Sequence, residues 1–250
     1  MKLTVVGCSG SYPGPTSAAS AYLVEHDGFR LVVDLGNGAL GPLQRYVDPA
    51  EVDAVLLSHL HVDHCIDVCS YYVALQYRPG GFDGLSIPVH GPAGAGPHLA
   101  RAYGTPDAEA NLQRVFDFRT LDAGVGEIGP FRVTTARMAH PVPCFGVRLE
   151  ADGVVLAYSA DTAPTDALVH LAEGADLLLA EASFLDGDDN PPGLHLTGRE
   201  AGEHAARAGV GRLVVTHVPP WHDPQRALAE AQGAFAGPVE LAAPGATHSW

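Results

Sequence analysis

The stretch His59-Leu60-His61-Val62-Asp63-His64 places three imidazoles and one carboxylate within six consecutive positions. Imidazole and carboxylate are the side chains that bind divalent metals such as zinc. Four such groups this close can share two ions. Two ions can polarise a phosphoryl or acyl group and supply hydroxide at neutral pH. Just ahead, Val52-Asp53-Ala54-Val55-Leu56-Leu57 reads as a short buried strand. The cluster therefore sits at a strand end, where ligands gather in layered α/β folds.

Further candidates stand apart in the chain, each in a loop or just after an apolar strand. They are His140 in Met138-Ala139-His140-Pro141, Asp161 in Ser159-Ala160-Asp161-Thr162, His195 in Gly193-Leu194-His195-Leu196-Thr197, and His217 in Val215-Thr216-His217-Val218. The remaining histidines, 26, 90, 98, 170, 204, 222 and 248, lack this setting and read as ordinary, although His222 is close to His217 in sequence.

The elements that must position these residues follow from pattern and turn chemistry. Strands are expected at 3–6, 21–25, 29–34, 54–57, 87–90, 131–136, 144–150, 154–158, 176–181, 212–216 and 239–241. Two hairpins turn at Asp27-Gly28 and Asp152-Gly153, both good turn dipeptides. Helices are expected at 39–46, 66–77, 97–103, 108–115, 167–172, 197–208 and 224–235, with Thr197 and Glu200 spaced as a capping box. Each half begins with strands and a hairpin and then adds helix-linked strands. Two sheets packed face to face with helices outside would bury both. No linker or low-complexity segment interrupts 1–250, which reads as a single domain.

Composition narrows the partners. The formal net charge is −15 and no run of Lys or Arg occurs. A large nucleic acid normally needs a basic footprint, so the expected ligand is a small anion met by local metal charge. Cys8, Cys65, Cys69 and Cys144 do not form a disulfide framework, and Cys65 and Cys69 read as buried thiols. No stretch reaches transmembrane length and Met1–Gly7 is too short an apolar run for a signal peptide, so no membrane role and a cytoplasmic location are expected.

Taken together, the Gly-rich first turn, Ser58 to His64, Tyr158 to Thr162, Glu181-Ala182-Ser183-Phe184, His195-Leu196-Thr197 and Thr216-His217 resemble the metallo-β-lactamase superfamily, and within it the RNase Z-like branch. The resemblance implies an αββα sandwich of two mixed sheets with helices on the outer faces. It implies one metal on His59, His61 and His140, a second on Asp63, His64 and His217, and Asp161 between them. Zinc is the first choice, with manganese or iron also suited. Asp63, His195 and Glu181 are the expected catalytic residues, with Glu181 raising the pKa of His195, which is not a ligand. RNase Z proper carries a long arm between the counterparts of His140 and Asp161, whereas residues 141–160 here leave room only for a hairpin. Thiolester hydrolases of the superfamily lack the His195 and Glu181 elements. The resemblance thus implies hydrolysis of 3′,5′-cyclic AMP to 5′-AMP, with Phe184, Trp221 and Tyr72 as candidate base contacts and a homodimer as the expected assembly. The rival readings are a ribonuclease acting on RNA 3′ ends and a non-catalytic nucleotide or metal sensor. One departure is Ala160, where RNase Z usually has Gly before the bridging Asp.

Overall fold

The computed structural model describes residues 1–81 and 86–250. The first part of the chain forms β1 (Lys2–Gly7), β2 (Ala21–His26), β3 (Phe29–Leu35), α1 (Leu40–Leu43), β4 (Ala54–Leu56), α2 (Val62–Cys65) and α3 (Asp67–Gln76). It continues through β5 (Ile87–Gly91), α4 (Ala95–Tyr103), α5 (Ala108–Leu112), β6 (Phe116–Thr120), β7 (Gly124–Ile128), β8 (Phe131–Arg137), β9 (Phe145–Ala151) and β10 (Val154–Tyr158). The last part forms α6 (Asp166–Leu171), β11 (Leu177–Glu181), α7 (Gly198–Ala208), β12 (Leu213–Thr216), α8 (Pro224–Ala234), β13 (Val239–Leu241) and β14 (Thr247–Ser249).

Among the described residues these strands make two seven-stranded sheets, ordered β14-β1-β2-β3-β4-β5-β6 and β13-β12-β11-β10-β9-β8-β7. Each sheet is antiparallel around its hairpin and parallel beyond it. Strand alternation gives each sheet two apolar faces. Leu3, Tyr22, Val24 and Val33 of the first sheet meet Val147, Leu149, Leu156 and Leu179 of the second. The opposite face of the first sheet, with Leu23, Val32 and Val55, packs on Leu43, Val68, Tyr71, Leu75 and Leu99 of its helices. Leu168, Leu171, Ala201, Ala205, Ala227 and Ala231 of α6, α7 and α8 join the core of the second sheet. This is the expected αββα sandwich. No helix among the described residues is long and apolar enough to cross a membrane.

Three strands were not expected from the pattern. β7 (Gly-Val-Gly-Glu-Ile) is an edge strand with four exposed residues, so it carries no alternation to read. β14 is three residues long and pairs only with β1 at the opposite end of the chain. β6 begins at Phe116, and α5 correspondingly stops at Leu112 instead of running to Val115. The capping box of α7 forms as expected, Thr197 accepting from Glu200 N–H while Glu200 accepts from Thr197 N–H.

The topology decides where chemistry can occur. β8, β10, β11 and β12 run in one direction. The segments after them, carrying His140, Asp161, Glu181 at its strand end, and His217, therefore meet at one edge. There they face the segment after β4. Phe145 N–H donates to Ser58 C=O at 3.0 Å, and Gly10 N–H donates to Val218 C=O at 3.2 Å. These bonds tie the two sheets together around the histidines.

Candidate metal centre

Five histidines and two aspartates converge at this edge in two groups. In the first, His59 Nε2 lies 3.1 Å from His61 Nδ1, and His61 Nδ1 lies 3.3 Å from His140 Nε2. In the second, His217 Nε2 is 3.1 Å from both His64 Nε2 and Asp63 Oδ2. Asp161 stands between them, with Oδ2 3.6 Å from His59 Nε2 and Oδ1 3.3 Å from His64 Nε2. The structure brings together the residues that the resemblance grouped as ligands. The single turn of α2 makes this feasible, because it folds Asp63 and His64 back toward the strand ends.

The outward nitrogens explain why the inward ones face each other. Ser58 Oγ donates to Asp34 at 2.8 Å and so accepts from His59 Nδ1 at 3.0 Å. Ser183 Oγ donates to His217 C=O at 3.0 Å and accepts from His217 Nδ1 at 2.7 Å. His140 Nδ1 donates to Leu194 C=O at 3.1 Å, and His64 Nδ1 donates to Asp34 at 2.8 Å. Each partner holds the outer nitrogen as a donor, so the inner nitrogen is the one that can offer a lone pair to a cation. Inner nitrogens about 3 Å apart need a proton or a cation between them. Asp161 is 2% exposed, yet its Oδ1 makes no hydrogen bond. The donor set thus fits divalent metal ions, and the two groups are close enough internally to hold them.

The electrostatics agree. Burial opposes charge on His64, but Asp161 and Asp34 outweigh it and raise its pKa well above the ordinary value. Burial would likewise raise Asp63, but the His217 and His64 imidazoles beside it hold its carboxyl far below the carboxylate range. The site is rich in negative charge and electron pairs. His59, pressed by burial and by neighbouring histidines, is held neutral.

His195 stands beside this centre. Its Nδ1 donates to Glu181 Oε1 at 2.8 Å and is 3.9 Å from Asp161 Oδ2. Burial disfavours its charge, but the Glu181 carboxylate dominates, with Asp161 and Asp63 adding, and lifts the pKa to about 9. Glu181 is itself fixed by Thr162 N–H at 2.8 Å and Ser183 N–H at 3.0 Å. Phe184 packs edge-on against His195 at 5.1 Å between centroids, closing one side of the imidazole.

Tyr72 must be corrected. It is 3% exposed and packs edge-on against Tyr103 and Tyr77, at 5.4 and 6.2 Å, within the core between the first sheet and its helices. That ring is used in packing and is no base contact. Trp221 is exposed, four residues beyond His217. All four cysteines are free, although Cys69 is half-buried where Cys65 is fully buried. His204 is a buried structural histidine that bonds Thr165 N–H and Glu200 C=O.

Sequence reading missed Asp34. It is fully buried and accepts from Ser58 N–H, Ser58 Oγ, His64 Nδ1 and Tyr158 OH, all within 2.7 to 2.8 Å. A charged residue in Leu31-Val32-Val33-Asp34-Leu35, just before Gly36-Asn37-Gly38, was the available signal. Asp34, Ser11, Ala160 and His217 all have left-handed φ, at 58°, 63°, 51° and 56°. Such strain gathers where surroundings over-determine the backbone at a site. At Ala160 it explains why glycine would be at home there.

Comparison with known proteins gives a consistent picture. The family model described as the beta-lactamase superfamily domain matches residues 29–218. An uncharacterized protein of Mycobacterium leprae (strain TN) is 41% identical over 251 positions, covering 99% of this chain and 88% of that protein. The Bacillus subtilis protein named "Probable metallo-hydrolase YhfI" is 32% identical, covering 98% of both chains. The crystal structure of YhfI superposes with a TM-score of 0.87 at 31% identity, covering 99% of this chain and 98% of the other. A protein of Haloferax volcanii named Ribonuclease Z is 29% identical over 303 positions, covering 98% of this chain and 93% of its own.

Proposed function

Because the chain belongs to the β-lactamase superfamily and is one of its metallo-hydrolases, we propose that it is a two-metal phosphodiesterase that hydrolyses a small cyclic nucleotide, 3′,5′-cyclic AMP to 5′-AMP. The observation that carries the reading is His195, held by Glu181 and facing the cluster with its charged form favoured.

His59, His61 and His140 would hold one ion, Asp63, His64 and His217 the other, and Asp161 would serve both. Zinc suits these donors best, with manganese or iron also suited. Bound there, the ions would act as Lewis acids on phosphoryl oxygens and make water nucleophilic at neutral pH. Hydrolysis forms a bond from the oxygen of water to phosphorus and breaks the bond between phosphorus and the 3′-oxygen. His195 gives that oxygen its proton from Nε2 while Glu181 keeps the ring oriented through Nδ1. Asp63 would act from within the second donor group, beside His64 and His217.

Three features favour a small substrate over RNA. The segment between His140 and Asp161 is filled by the β9–β10 hairpin. The net charge is −15. The alignment to the Haloferax Ribonuclease Z spans 303 positions against 250 residues here, so that relative carries residues this chain lacks. Its name also sustains a second reading, cleavage at RNA 3′ ends.

The test is a panel offered to metal-loaded protein: cyclic AMP, cyclic GMP, 2′,3′-cyclic nucleotides, a bis-phosphodiester and precursor tRNA. Turnover of cyclic nucleotides with inert tRNA is expected. Cleavage of precursor tRNA with inert cyclic AMP would replace the first reading by the second. His59→Ala should abolish turnover, and turnover unchanged by it would place the activity outside this centre; nucleotide binding without turnover in the unaltered protein would return the chain to a sensor role. A homodimer is part of the same proposal, and sedimentation equilibrium checks it.

A further inference from the structure

Two large rings stand exposed on the loops that flank His217. Tyr12 is 42% exposed and Trp221 59% exposed. They stack on each other, with centroids 5.4 Å apart and planes 29° from parallel. Leaving such rings in water forfeits burial that a folded chain otherwise gains.

Their exposure is built in. Tyr12 C=O accepts from Ser9 Oγ at 2.7 Å, and Ser9 bridges Val218 in the loop that leads to Trp221. Gly10 sits so close that a Cβ there would fall 2.3 Å from His217 C=O. His222 packs against the indole at 5.9 Å and 67°. The two loops that carry the rings are therefore fixed to each other and to His217. Ser11 N–H lies 3.5 Å from His217 Nε2, one residue from Tyr12, and Trp221 is four residues beyond that histidine.

We propose that Tyr12 and Trp221 form a stacking platform for the nucleobase of the substrate, setting a requirement for a flat heteroaromatic group beside the scissile phosphate. The proposal rests on the phosphodiesterase reading and adds a specificity element to it. Stacking suits this molecule because every base offers a π-face and no cationic partner is needed. Arg226, on the helix that follows the Trp221 loop, is already engaged by Asp188 and by Asp186 C=O.

The chain has two tryptophans, so Trp250→Phe leaves Trp221 as the sole indole reporter. Metal-loaded protein in this background is titrated with 5′-AMP and with ribose 5-phosphate, which keeps the phosphate but lacks the base. Saturable quenching by 5′-AMP alone is expected. Tyr12→Ala should weaken 5′-AMP binding, and Trp221→Ala should raise KM for cyclic AMP, each by about tenfold. The kcat should change little, and Trp221→Phe should restore most of the loss. Equal binding of the two ligands without a fluorescence change would overturn the platform. So would an unchanged KM in Trp221→Ala, or an effect of that variant confined to oligomeric mass. Turnover of base-free phosphodiesters with inert cyclic nucleotides would instead remove the substrate reading, while the 5′-AMP titration still decides the platform.

Discussion

At the residue scale, the groups that orient the ligands matter as much as the ligands. Asp34 accepts four hydrogen bonds, and one of its donors is His64. Asp34→Ala should weaken metal binding by about 10- to 100-fold, the usual cost of losing a group behind a ligand. Calorimetric metal titration checks it, and unchanged affinity would reduce Asp34 to a folding residue. The pH profile tests His195. Its pKa is raised, to about 9, so the proton and the pairing with Glu181 are complete below the unfolded value of about 6.5 and are lost as pH rises through the folded one. Bound cations oppose the carboxylates and bring the alkaline limb of activity below that value. Glu181→Gln removes the largest raising influence and should move the limb further toward neutral pH. An unmoved limb would mean that His195 is not the acid. The ligands themselves were legible because imidazole spacing is rare by chance. Asp34 was not, since one aspartate at a strand end is also a common turn former.

At the scale of elements, the site depends on close backbone approach. A Cβ on Gly36 would lie 1.9 Å from Asp63 C=O, so β3 and α2 meet there with no room for a methyl group. Gly36→Ala must push α2 outward and carry Asp63 and His64 with it. A displacement of about 1 Å at such a centre costs about 100-fold in rate. Gly41 in α1, with nothing within 4 Å, is the control and should tolerate alanine. Turnover with unchanged circular dichroism distinguishes displacement from unfolding. The hairpins and the capping box of α7 were readable because local sequence decides them. β7 and β14 were not, because an exposed edge and a three-residue strand take their conformation from the neighbour they pair with.

At the scale of the whole molecule, the sandwich was foreseeable from the repeated order of strands, hairpin and helix-linked strands. What the order could not show is how the two halves are joined. His59, His61, Asp63 and His64 follow β4 of the first sheet, while His140, Asp161 and His217 follow strands of the second. Either ion would therefore take donors from both sheets and bind them together at one edge. Binding to the folded state alone adds about 4 kcal/mol per site when free metal exceeds its Kd a thousandfold. For a chain of this size each kcal/mol shifts Tm by about 2–4 °C, so chelation should lower Tm by about 8–16 °C per ion released. His140→Ala, which removes a cross-sheet donor from only one group, should lose the part of this shift that belongs to one ion. Scanning calorimetry with and without chelator reads both. A Tm indifferent to chelator would mean that these lone pairs do not hold metal, and the centre would then need another source of positive charge.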